Sequence, residues 1–85
     1  MRDIDQLIAA LQRRHPDLRA EQRPATQNEG VWLVSLPTTP IAVQLESSTG
    51  NCPFLIESSL NRERVSAATI GEAINMVSTM LGSGN

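Results

Sequence analysis

Lysine and tyrosine are missing from this chain, and cysteine, histidine, tryptophan and phenylalanine occur once each. A single cysteine cannot close an internal disulfide, which excludes the stapled, secreted mini-protein class. One His and one Cys cannot supply a zinc site of ordinary composition, so no metal and no cofactor is expected. Without lysine a Walker-type phosphate loop cannot be built, and no G-x-G-x-x-G run occurs either. Long apolar runs are also absent. The stretch Leu7–Leu11 is short, preceded by Asp3 and Asp5 and followed by Arg13 and Arg14. That is neither a signal-peptide core behind a basic start nor the ~20 apolar residues of a membrane span. The expectation is a cytoplasmic protein.

What is present suits one small domain. The chain has 85 residues, seven cations that are all arginine, nine carboxylates and a net charge of −2. A chain of this size can bury about 60% of its unfolded surface, enough for one modest core. The expected domain spans 1–82, with 83–85 a frayed tail.

Ile4, Leu7, Ile8 and Leu11 recur at helical spacing, and Pro16 stops the pattern, predicting a helix over 4–14 with Asp3 as its N-cap. Residues 18–23 alternate in a way that suits a short polar edge strand closed by Pro24, or coil. Residues 25–30 read as a loop. Strands are expected at 31–36 (VWLVSL), 41–46 (IAVQLE) and 54–58 (FLIES), separated by short turns, hence an antiparallel meander. Residues 59–68 read as a longer connection. Thr69 and Glu72 have capping-box spacing, and Ile70, Ile74, Val77 and Leu81 follow as the apolar stripe of a helix over 70–81. The order α-β-β-β-α closes as a two-layer α+β sandwich, with both helices on the sheet face that carries Ile41, Val43 and Leu45.

Few residues offer chemistry. Cys52 would need a base to become a thiolate nucleophile, and His15, the one imidazole, stands at a helix end with nothing to bring the two together. No catalytic residue is expected. Glu46 and Glu57 fall on the polar face of the sheet, where solvated charge is the ordinary reading and acid–base work the sharper one. The start of the last helix is a generic anion site that Arg62 and Arg64 could assist, but Glu57, Glu63 and Glu72 oppose them.

The last helix carries no charge after Glu72. Met76 and Met80, one turn apart, are either the edge of a wide core stripe or an adaptable surface for self-association as a homodimer. Trp32 raises the same question, because Trp32, Val34 and Leu36 alternate with Val31 and Leu33, leaving both faces of that strand apolar.

Charge is laid out unevenly. Residues 1–24 hold five Arg against four carboxylates, and the remainder two Arg against five. The α-β-β-β-α order is also that of the double-stranded-RNA-binding domain, a family that clamps phosphate with a lysine-rich start to its last helix. Here that start is Thr69-Ile70-Gly71-Glu72, with no cation. Nucleic acid is therefore not the expected partner.

The run Pro53-Phe54-Leu55-Ile56-Glu57, followed by Thr69, Glu72-Ala73-Ile74 and Val77, resembles small bacterial immunity or inhibitor proteins of polymorphic-toxin systems. The resemblance implies a stand-alone cytoplasmic protein that blocks a cognate toxin by binding it. The helix-then-meander layout is also similar to small secretion chaperones, which are acidic, dimeric and bind protein clients. The resulting expectation is a non-catalytic protein-binding module. Its acidic open sheet face and the 58–67 loop would pair with a basic partner through Trp32, Glu46, Glu57, Arg62 and Glu63.

Overall fold

The computed structural model describes residues 2–22, 30–60 and 63–82. Its elements are α1 (Asp3–Arg14), β1 (Arg19–Gln22), β2 (Gly30–Ser35), β3 (Ala42–Ser47), β4 (Phe54–Ser58), β5 (Arg64–Ala67) and α2 (Ile70–Gly82). The expected α+β sandwich is the architecture observed. The meander is longer than its three central strands, because the sheet runs β1-β2-β3-β4-β5 with every pair antiparallel. The edge strand weighed at 18–23 is β1. The fifth strand lies in the stretch read as a connection. Of the expected loop at 25–30, Gly30 opens β2 and the rest, like the closing Pro24 and the tail 83–85, lies outside the described residues.

Strand alternation sorts the sheet into two faces. Trp32 pairs with Leu45, Leu45 with Ile56, and Ile56 with Val65. This row, with Val34, Val43, Phe54 and Ala67, faces the helices. From α1 it meets Ile4, Leu7 and Leu11, and from α2 Ala73, Val77 and Leu81, and all but the half-buried Val65 belong to one buried cluster. Truncating a core leucine such as Leu7 at a site like this costs about 2–5 kcal/mol. The stripe of α2 centres on Ala73, Val77 and Leu81, whereas Ile70 and Ile74 form one half-buried flank and Met76 and Met80 the other.

The start of α1 departs from expectation in an informative way. Arg2, not Asp3, is the N-cap, and it makes no side-chain cap bond. The unsatisfied amides at this end are met by the β3–β4 loop instead. Asp3 N–H donates to Asn51 Oδ1 at 2.9 Å and Ile4 N–H to the Gly50 carbonyl at 2.8 Å. The Asp3 carboxylate in turn accepts from Cys52 N–H at 2.9 Å. Gly50 adopts φ 79°, a conformation that favours glycine. Helix α2 caps itself, with Thr69 Oγ1 accepting from Glu72 N–H at 3.1 Å.

Both helices start at the same end of the sheet. The start of α1 is held by Gly50–Cys52, and α2 follows Ala67, which pairs with Phe54 just past the same loop. Their other ends meet where His15 Nε2 and Ser78 Oγ lie 3.3 Å apart.

Candidate functional site

Trp32 is not a surface contact. Its pairing with Leu45 turns it to the helix side, where it is only 5% exposed. Its ring covers Gly30, two residues back on the same face. A Cβ at Gly30 would collide with that ring and with the Ser47 carbonyl. The Arg2 guanidinium lies 5.8 Å from the ring centroid, within cation–π range. The other apolar set of β2, Val31 and Leu33, is half-buried on the opposite face.

That opposite face carries no helix among the described residues, and it is where Glu46 and Glu57 meet. Across it, Glu21, Leu33, Gln44, Glu57 and Arg64 stand in one row, and Val31, Glu46, Leu55 and Ser66 in the next. Leu55 is 41% exposed, as large an apolar side chain as this face presents among the described residues. Arg64 binds the two carboxylates together. Its Nε donates to Glu57 Oε1 at 2.9 Å, and a terminal nitrogen lies 3.9 Å from Glu46 Oε2. The Glu57 hydrogen bond, then the charges of Glu57 and Glu46, push the Arg64 guanidinium further toward its charged form. Taken with Arg19 and Glu21, the described residues of this face hold three carboxylates against two guanidinium groups. It is mildly acidic, and less so than Glu46 and Glu57 alone suggest.

Of the two arginines that could assist an anion site at the start of α2, Arg64 instead pairs with Glu57. The signal was present in the spacing. Glu57 and Arg64 are seven positions apart, a hairpin distance that puts the two directly opposite once 64–67 is a strand. Glu63 is exposed beside this hairpin turn, and Leu60 within the turn is 60% exposed. Arg62 lies outside the described residues. Met76 and Met80 are half-buried, packed against the core cluster and partly exposed.

The thiol and the imidazole are held apart. Cys52 sits at the start of α1 and His15 at its end, and twelve helical residues span roughly 18 Å. Burial, followed by the hydrogen bond and charge of Asp3, pushes the Cys52 thiol up, away from the thiolate that nucleophilic chemistry needs. Among the described residues no three His, Cys, Asp or Glu side chains cluster as metal ligands do. No helix among them is long and apolar enough to cross a membrane. Comparison with protein-family models, with curated proteins and with solved structures finds no match to this chain.

Proposed function

We propose that this chain is a small non-catalytic protein-binding module of the immunity or inhibitor type, which occludes a cognate protein partner with its open sheet face. The observation that carries the reading is the helix-free face itself, where Val31, Leu33 and Leu55 stand among Glu46, Glu57 and Arg64. Apolar anchors ringed by charge are the usual makings of a binding surface. The polar ring also sets the kind of partner. A basic surface would find Glu46 and Glu57 already aligned by Arg64. The raised Cys52 thiol, remote from His15, supports the non-catalytic part.

The test is affinity capture from the source cells at physiological salt, with the wild type beside a Leu55→Glu/Glu57→Arg double variant. Both positions are on the helix-free face, away from the core, and because Glu57→Arg sets like charge opposite Arg64, circular dichroism checks that the variant is folded. A protein held by the wild type and lost by the variant is the expected result. Equal capture by both, or retention of RNA with no protein, would overturn the reading.

A further inference from the structure

Among the described residues the sheet has two free edges, and one of them matches itself. β1 pairs only with β2, so the outer row of its backbone N–H and C=O groups has no strand partner among the described residues. Such an edge is a template for another strand, and short length, charged side chains, proline or a bulge are the usual ways of blunting it. β1 is only four residues long, Arg-Ala-Glu-Gln, and its Arg19 and Glu21 are charges that disfavour a partner strand unless it sets the opposite charge against each of them. Arg19 and Glu21 lie two positions apart, so both point to the helix-free face. Both are exposed, and neither has an ion-pair partner among the described residues.

We propose that a second copy of this chain adds to β1, strand to strand and antiparallel, about a two-fold axis through Ala20. In that register Arg19 of each copy stands directly opposite Glu21 of the other, and Ala20 faces its own counterpart on the helix side. Opposed residues keep the same face, so the helices of both copies cover one side of a continuous sheet and the two open faces merge on the other. A two-fold contact must be self-complementary, and this one is complementary in charge at both flanking positions.

Neighbouring registers are not. A centre on Arg19 sets Arg against Arg, and a centre on Glu21 sets Glu against Glu. The opposite edge offers no such match, because in β5 the one charged residue, Arg64, is already committed to Glu57. The pairing is strand addition to an exposed edge. It does not depend on the reading of the open face given above.

The interface is small, so the association is expected to be weak. The test is sedimentation equilibrium on the full chain at concentrations up to about 1 mM, the range in which so small a contact registers. Wild type should rise toward twice the single-chain mass. Arg19→Glu and Glu21→Arg should each lose the dimer at the concentrations where wild type forms it. The charge-swapped double variant, R19E/E21R, restores the complementarity and should regain it. Circular dichroism checks that each variant is folded, and Arg19→Gln stands in for R19E should that one fail. Three results overturn the proposal: a wild type that stays monomeric throughout, single variants that dimerise like wild type, or a double variant that stays monomeric. A dimer lost on Met76→Glu/Met80→Glu but kept by R19E would likewise overturn it, and would move the interface to α2.

Discussion

Cys52 shows how a residue's neighbours decide what it can do. Its amide holds the Asp3 carboxylate, while its thiol is half-buried and pushed up, first by burial and then by Asp3. The folded chain therefore holds the thiol proton more tightly than the unfolded chain does. The stability contributed this way is full below the ordinary thiol range, near pH 8.5, and is lost as pH rises through the raised value. Urea midpoints measured from neutral pH upward should show wild type losing stability relative to Cys52→Ser. Alkylation at neutral pH should be slower than for an unstructured thiol. A midpoint difference that stays flat with pH would mean that the thiol is not perturbed. Side-chain facing was legible at this scale wherever alternation has one clear sense. Ile41, Val43 and Leu45 point inward, and Glu46 and Glu57 outward, as their spacing predicts. Trp32 was not legible, because both faces of its strand are apolar. Only its register with Leu45 shows which set meets the helices.

At the scale of elements, periodic segments were readable and the short ones were not. Both helices announce themselves by apolar spacing, and the three central strands by β-branched runs between turns. β5 has four residues with one β-branched side chain, too little to stand out from a connection. It exists because Val65 and Ala67 complete the row begun by Ile56 and Phe54. The start of α1 departs from the expected Asp3 cap for a similar reason. A local rule places an acceptor at Asp3, but the acceptors come from Gly50 and Asn51, at the far end of two hairpins. Asn51→Ala should therefore behave as the loss of a helix cap, destabilising the fold by about 0.5–2 kcal/mol in urea denaturation. The β3–β4 loop supplies more than a turn, so a substitution there should be felt in α1. Unchanged stability would show that water replaces the Asn51 side chain at no cost.

For the molecule as a whole, one side of the sheet carries the core and the other carries the charges. The helix side is continuous from Leu18 to Leu81 and leaves no buried side-chain polar atom unpaired among the described residues. The open side puts its charges to use in cross-strand pairing, as at Arg64, Glu57 and Glu46. This division is why the architecture could be read from the pattern of apolar residues while the site could not. Apolar spacing reports which face is buried. It carries no information on which surface carboxylate a given arginine will reach.

The bonds between the start of α1 and the β3–β4 loop join residues 46 to 49 positions apart. The first helix is therefore finished by a part of the chain made much later. Until Gly50–Cys52 are in place, its first amides have only water to bond, and an isolated helix of twelve residues is marginal in water. Helix and meander must then form and dissolve together. In native-state hydrogen exchange, the Asp3 and Ile4 amides should be protected to the level of the central strands and open only with them. Faster exchange of that pair would reveal a helix that frays independently of the sheet.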